Sequence, residues 1–380
     1  MKVLIVCNNA FHKGNGLCTA VMTLYHELMC SGVEVRLMAC RNDDPDGPQP
    51  DYPLKHFKFP FFERIIYTNG FRYASADRKL MENAIAWADV VHLEEGFPLE
   101  AKAASIAERM GKPCVGSYHL LTENILANLG MKRDVLINDI VTFAWRKLVY
   151  DRCAVVHCPT SKVRDYLLEH GFKSRMEVIS NGVRIMSGEY VSNVSPEAPF
   201  IILCTGRLSN EKSQMTLLEA MKISRHSREI QLVFAGKGPK EKKYRRIAAR
   251  LMGKGVLAHE PEFGFFAPEQ LRGICSRAYL YVHCAWVEVE GLSCLEALRE
   301  GTVPVIAEGK YTATSQFALD SRSIFPVGDP KALAERIDWW IEHPAERIAM
   351  GKEYSESASC YSLDGSIARM IEMYEKAIGS

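Results

Sequence analysis

Short apolar segments rich in β-branched residues alternate along this chain with longer stretches of helical spacing, and halfway along the alternation stops and begins again. That pattern belongs to parallel sheets covered by helices on both faces. In the first series, strands are expected at Val3–Cys7, Val33–Ala39, Val90–Leu93, Cys114–Ser117, Val155–Pro159 and Met176–Ile179. Helices are expected between them at Ala20–Ser31, Asp77–Ala88, Glu100–Met110 and Ser161–Gly171. After Ser187–Pro199, a stretch carrying Ser, Pro and Asn, new strands are expected at Phe200–Gly206, Ile230–Ala235, Leu280–Cys284 and Val303–Ala307. Two such series on 380 residues predict two doubly wound α/β domains facing each other across a cleft. The expected bounds are a domain over 1–186, a linker over 187–199, a second domain over 200–360 and a C-terminal helix over 361–380. In that helix Ile367, Met370, Ile371, Met373, Tyr374 and Ile378 recur at helical spacing.

Composition narrows the functions. A net charge of +1 with no basic block gives no electrostatic footprint for nucleic acid. The chain runs from Met1 straight into a strand-like segment without the marks of a signal peptide, and no run approaches the ~18 apolar residues of a membrane span. Its 12 cysteines are scattered without a C-x-x-C pair, several inside Val, Leu and Ile runs where a reduced thiol acts as a small hydrophobe. The expectation is a reduced cytoplasmic protein without a structural metal.

Chemistry concentrates where strands end. Val287–Ile306 reads V-E-V-E-G-L-S-C-L-E-A-L-R-E-G-T-V-P-V-I. It leaves a strand, crosses a glycine loop and enters a helix near Ser293, so free N–H groups and the helix dipole there favour a diphosphate. Glu288 and Glu296, with seven residues between them, are wrong for phosphate but suited to accepting hydrogen bonds from sugar hydroxyls. T-G-R-L-S-N-E-K, Thr205–Lys212, follows another strand and projects Arg207 and Lys212 toward the same crevice, where two cations would neutralise two phosphate charges. Gly236-Lys237-Gly238-Pro239 either lets a ligand approach the backbone or is a plain strand-to-helix turn.

The first half carries looser signals. Gly14 and Gly16 suit a loop approached by another molecule, but Thr19 occupies the third glycine position of a dinucleotide fingerprint. His119, just past a strand, is placed to hydrogen-bond a sugar hydroxyl or a phosphate, with Glu123 and Asn124 one turn on; the alternative is a structural histidine. Asp44-Pro45-Asp46 sits among Gly and Pro and reads as an exposed turn rather than a metal site. Leu54–Tyr73 and Met131–Tyr150 mix aromatic or aliphatic residues with Lys and Arg. Core packing with snorkelled charges is the preferred reading over contact with an anionic membrane face.

Taken in order, T-G-R-L-S-N-E-K, G-K-G-P, F-G-F-F-A-P-E-Q-L (Phe263–Leu271), E-V-E-G-L-S-C-L-E-A-L-R-E-G and F-P-V-G-D-P (Phe325–Pro330) resemble the nucleotide-sugar half of the retaining GT-B glycosyltransferases of family 4. The first half is similar in its glycine loop, in Ser117–His119, and in P-T-S-K-V (Pro159–Val163) followed by V-I-S-N-G-V (Val178–Val183). The resemblance implies two Rossmann-like domains and transfer of a hexose-type sugar, with retention and no bound metal, from a nucleoside diphosphate donor. UDP is favoured as the nucleotide and GDP comes next. The donor is a substrate, so no cofactor is implied, and the acceptor would be a glycan or lipid-linked oligosaccharide of cell-surface polysaccharide or glycolipid synthesis, reached by peripheral contact with the inner membrane face.

Carried onto matching positions, Glu288 would take donor-sugar hydroxyls, Glu296 the ribose, and Arg207 with Lys212 the diphosphate, helped by the N–H groups of Gly291, Leu292 and Ser293. Gly264 and Phe265 would line the base, Gly238 the donor loop, Gly14 and Gly16 the diphosphate, and His119 the transferred sugar. Two positions depart from the family pattern. Glu290 stands where Phe is usual, which puts a third carboxylate near the donor sugar, and Arg184 stands where Asp often follows N-G-V. A nucleotide-sugar epimerase and a non-catalytic sugar-nucleotide-binding subunit of the same fold are the competing readings; a nicotinamide oxidoreductase is weaker because the glycine fingerprint is incomplete.

Overall fold

The computed structural model describes residues 1–12, 14–58, 63, 72–124, 135–185, 194–195 and 197–379. The chain folds into two compact units, one of Met1–Asn181 with Asp364–Ser380 and one of Gly182–Leu363.

The first unit runs β1 (Lys2–Val6), α1 (Gly16–Cys30), β2 (Glu34–Cys40), β3 (Tyr52–Phe57), β4 (Tyr73–Ser75), α2 (Arg78–Trp87), β5 (Val90–Leu93), α3 (Pro98–Arg109), β6 (Cys114–Ser117), α4 (Val135–Leu148), β7 (Val155–Cys158), α5 (Ser161–Glu169) and β8 (Arg175–Val178). Its sheet has the order β4-β3-β2-β1-β5-β6-β7-β8. Every pairing is parallel except β3 with β4. The order reverses direction between β1 and β5, which opens a crevice beyond their carboxyl ends. Helix starts follow local chemistry. The Asn15 side chain accepts from the Leu17 N–H, Asp77 from Leu80 and Thr160 from Val163, each satisfying a donor that the first turn leaves orphaned. The Asn15 cap starts α1 ahead of Ala20, where apolar spacing alone would begin it.

The second unit contains β9 (Phe200–Thr205), α6 (Met215–Ala220), β10 (Ile230–Ala235), α7 (Glu241–Gly253), β11 (Glu262–Gly264), α8 (Pro268–Cys275), β12 (Leu280–His283), β13 (Val287–Glu288), α9 (Leu292–Arg299), β14 (Val303–Glu308), β15 (Tyr311–Thr312), β16 (Ile324–Pro326), α10 (Pro330–Glu342) and α11 (Pro344–Ser357). Six strands form a parallel sheet in the order β11-β10-β9-β12-β14-β16, and β13 pairs with β15 in a small ladder of its own. Leu203, Phe234, Tyr281, Val305, Phe325 and Trp340 are buried together in its core. Asp329 caps α10 with Pro330 at the first helical position, which explains the D-P at the end of F-P-V-G-D-P.

Several expectations change. The second unit begins at Gly182, ahead of the expected linker at 187–199, because Val183 bridges Ser362 in parallel. The Val183 N–H donates to the Tyr361 carbonyl at 2.8 Å and the Leu363 N–H to the Val183 carbonyl at 2.9 Å. Residues 186–193 and 196 lie outside the described residues. The last helix, α12 (Leu363–Ile378), falls mostly within the first unit. In the aromatic segment Leu54–Tyr73, the described ends form the edge strands β3 and β4, with Leu54 buried; 59–62 and 64–71 are outside the described residues. In Met131–Tyr150, 131–134 are likewise outside; α4 buries Trp145 and ties Arg146 to the His170 carbonyl at 2.8 Å, but leaves Ile140 and Phe143 exposed. Asp44–Asp46 is an exposed turn in which the Asp46 N–H donates to Asp44 Oδ1. Among the described residues no helix is long and apolar enough to cross a membrane.

Candidate functional site

In the second unit β9 and β12 are neighbours, and the loops leaving their carboxyl ends bring together residues far apart in sequence. Lys212 Nζ, in the loop after β9, donates to Glu288 Oε2, in the short β13 that follows β12. The same oxygen lies 3.3 Å from His283 Nε2, at the end of β12. A carboxylate only accepts, so His283 carries its proton on Nε2 and its Nδ1 accepts from the Tyr281 hydroxyl at 3.0 Å. The Tyr281 oxygen then receives the hydroxyls of Thr205, at 3.0 Å, and Ser293, at 2.9 Å. Glu288 is thus held on one side by a cation and on the other by a strand-anchored chain of hydroxyls and imidazole.

Electrostatics follow from this geometry. Burial by itself would raise the Glu288 pKa, but the Lys212 charge and the His283 hydrogen bond outweigh it and hold the carboxyl at about 2. Lys212 is raised, since the attraction of Glu288 exceeds its own burial cost. His283 is lowered by burial and stays a neutral donor. Burial lowers Arg207, with Glu211 opposing, and raises Glu296, with Arg299 opposing.

Gly291 sits at φ 95°, directly before α9, and a Cβ there would lie 2.5 Å from Thr314 Oγ1. Only glycine therefore turns the chain here, and the turn leaves the first N–H groups of α9, at Leu292 and Ser293, without carbonyl partners inside the helix. Glu296 lies one turn on in α9 and is half-buried. Glu290, expected near the donor sugar, is 2 % exposed, and its charge acts on the Tyr361 phenol. Arg184 offers its carbonyl to Arg299 at 3.0 Å.

At Gly238 the backbone of a neighbouring turn comes close. A Cβ on it would lie 2.3 Å from the Leu208 carbonyl oxygen, and one on Gly236 2.1 Å from that of Gly206. The G-R-L and G-K-G turns interlock, with the Leu208 N–H donating to the Lys237 carbonyl at 3.0 Å. On that side these glycines accommodate protein backbone rather than ligand. Phe265, just past β11, is 51 % exposed.

Within the first unit, Gly14 (φ 83°) and Gly16 are exposed, and a Cβ on Gly16 would meet nothing within 4 Å. His119 is half-buried, with Nε2 3.0 Å from Glu94 Oε2. Sequence reasoning missed three participants: His283, Tyr281 and Glu94. The alternation Tyr281-Val282-His283 does place two polar rings on one face of a strand end, and Glu94 follows a strand directly, so both signals were present. Among the described residues no group of three His, Cys, Asp or Glu side chains is gathered to hold a metal.

Comparisons with known proteins agree with this architecture. Residues 190–356 match the model for glycosyl transferases group 1, and residues 14–185 match that for Glycosyltransferase Family 4. The α-monoglucosyldiacylglycerol synthase of Streptococcus pneumoniae is 24% identical over 325 residues, covering 81% of this chain and 71% of that protein. In fold, the chain is similar to sucrose-phosphate synthase from Thermosynechococcus elongatus, with a TM-score of 0.76 at 15% identity over 100% of this chain and 99% of that one. It is also similar to HepE from Anabaena, solved with UDP and glucose, with a TM-score of 0.73 at 14% identity over 99% of this chain and 100% of that one.

Proposed function

The chain belongs to the GT-B glycosyltransferases of family 4, and from that premise we propose that it moves a hexose-type sugar with retention from a UDP-sugar, or next from a GDP-sugar, to a glycan or lipid-linked acceptor. The observation that carries this reading is the array of Lys212, Glu288 and His283 beside the amino end of α9, with Glu296 one turn along. Its Lys212 ammonium and the free N–H groups suit a diphosphate, while its carboxylates suit hydroxyls.

In this proposal Arg207, Lys212 and the N–H groups of Leu292 and Ser293 stabilise the departing diphosphate, which is where charge develops. An ammonium has three donors, so Lys212 serves a phosphate oxygen while still holding Glu288. Glu288 takes sugar hydroxyls, Glu296 takes the ribose and Phe265 covers the base. On the first unit, His119 meets the transferred sugar. The positive charge comes from side chains, so the transfer is expected to proceed without a metal. An acceptor of glycolipid type is supported by the α-monoglucosyldiacylglycerol synthase among the relatives, and peripheral contact with the inner membrane face by the exposed Ile140 and Phe143.

The test is to incubate the chain with UDP-, GDP-, ADP- and CMP-sugars, with and without diacylglycerol in mixed micelles and with and without EDTA. Release of one nucleotide, unaffected by EDTA, and a product whose anomeric configuration matches the donor are expected. Release from none, or an inverted product, would overturn the reading.

A further inference from the structure

Charge is not spread evenly over the second unit. Against the expectation of no basic block, residues 237–254 carry eight Lys and Arg and one acid, Glu241. They cover the turn after β10, the whole of α7 and the residue that follows it.

One side of α7 belongs to the core. Tyr244, Ala248 and Leu251, three and four positions apart, are buried in the apolar cluster of the unit. The opposite side is cationic. Lys242, Arg246 and Arg250 follow one another at intervals of four, with Lys243 beside them, and all are exposed. The other exposed positions of α7 are Arg245 and two small residues, Ala249 and Gly253. Arg245 is occupied within the unit: it pairs with Glu241 at 2.9 Å, donates to the Phe263 carbonyl at 3.0 Å and lies over the Phe263 ring. Among the described residues no carboxylate pairs with Lys242, Lys243, Arg246, Arg250 or Lys254.

Folding does not call for this face. Like charges four apart repel each other along a helix, and Lys242 and Lys243 stand in the first turn, where the positive end of the dipole disfavours cations. Cations held at a cost to their own helix point to an anion outside the unit. Which anion follows from what the face lacks. No large apolar side chain is exposed in residues 237–254, so there is neither an aromatic anchor of the kind on which protein interfaces centre nor a ring on which a nucleotide base could stack. Nor is an apolar side left to sink into a bilayer, since the core has taken it. What remains is a row of ammonium and guanidinium groups on long stems, along a helix of about 20 Å, and such a row suits phosphates spread over a plane.

We infer that the exposed face of α7 is a docking surface for an anionic lipid bilayer, with Lys242, Arg246 and Arg250 lying on headgroup phosphates and Lys243 and Lys254 at the margin. The contact is one of charge without insertion, unlike that proposed for Ile140 and Phe143 of α4. It goes beyond the proposed transfer reaction and stands independently of it.

The experiment is co-sedimentation of the full chain with phosphatidylcholine vesicles that lack or contain phosphatidylglycerol, at low and at raised salt. Wild type should bind the vesicles containing phosphatidylglycerol far more tightly and lose that preference as salt is raised. At about fivefold for each cation removed, Lys242→Gln/Arg246→Gln/Arg250→Gln should weaken the binding about a hundredfold, with melting and UDP binding left as in the wild type. Should that variant melt early, Lys242→Gln/Arg250→Gln carries the test with a loss of about 25-fold. Lys242→Arg/Lys243→Arg keeps the charge and should bind as the wild type does. The inference is overturned if phosphatidylglycerol makes no difference, or if the folded Gln variants bind its vesicles as the wild type does. It is also overturned if the wild type binds duplex DNA or polyglutamate more tightly than the vesicles and the Gln variants lose that binding, because the face would then serve another polyanion. UDP binding by the same proteins reports on the transferase reading separately, so either can fail without the other.

Discussion

Replacing Lys212 with Met removes the cation that holds the Glu288 carboxyl at about 2. Against an ordinary value of about 4.3 that depression is about two pH units, or roughly 3 kcal/mol of native stability at neutral pH. The Lys212 side chain is 24% exposed and Glu288 13%, so solvent weakens the pair and about 2 kcal/mol is the working figure. For a unit of this size that corresponds to a melting shift of about 4–8 °C. The sign with pH follows from the depressed carboxylate. Its contribution is complete above about pH 4.3 and is lost as pH falls toward 2, whereas in Lys212→Met burial pushes the unpaired carboxyl above its ordinary range. The gap between wild type and variant should therefore be widest at about pH 7 and narrow on acidification, as the variant's carboxyl takes up its proton first. Thermal unfolding of both chains from about pH 7 to pH 4 measures it, with Lys212→Met/Glu288→Gln expected to recover about half the loss because no unpaired charge remains buried. A variant within about 1 °C of wild type at neutral pH, or a gap that does not change with pH, would refute the reasoning.

Other outcomes follow from single contacts. Gly291→Ala forces a Cβ to 2.5 Å from Thr314 Oγ1 at φ 95°, and should cost about 1–3 kcal/mol in denaturant unfolding along with most of the transferase activity. Gly238→Ala, with its Cβ 2.3 Å from the Leu208 carbonyl oxygen, should separate the two interlocked turns and weaken nucleotide binding, read by titration calorimetry, although the glycine faces backbone. Tyr374→Phe removes the phenol that donates to His92 at 2.8 Å and should lower unfolding stability by about 1 kcal/mol, leaving nucleotide affinity as it was.

The alternation of strands and helices was readable because parallel strands buried on both faces are mostly apolar and rich in β-branched residues, as Val303–Glu308 is along all but its last position. The short edges were not readable. Glu262–Gly264, Tyr311–Thr312 and Ile324–Pro326 are too brief for a period to register, and their pairing is decided by neighbours distant in sequence. At the site, Glu288, Arg207 and Lys212 were visible because loops at strand carboxyl ends carry the chemistry in such sheets. The contact between Lys212 and Glu288, 76 positions apart, depends on β9 lying beside β12, which no local pattern states. For the same reason the sequence left Gly238 open between a ligand approach and a plain turn: only tertiary packing places the Leu208 backbone beside it. Glu94 escaped notice because a lone acid after a strand is unremarkable until His119, 25 positions away, is seen to bind it.

The central claim is that the second unit binds a nucleoside diphosphate through Arg207 and Lys212 and its sugars through Glu288 and Glu296. Calorimetric titration of UDP into the wild type, Arg207→Ala and Glu296→Gln tests it most directly. The account predicts that UDP binds the wild type and that each substitution weakens it by about tenfold or more while both variants melt as the wild type does. Equal affinity in all three folded proteins would contradict it.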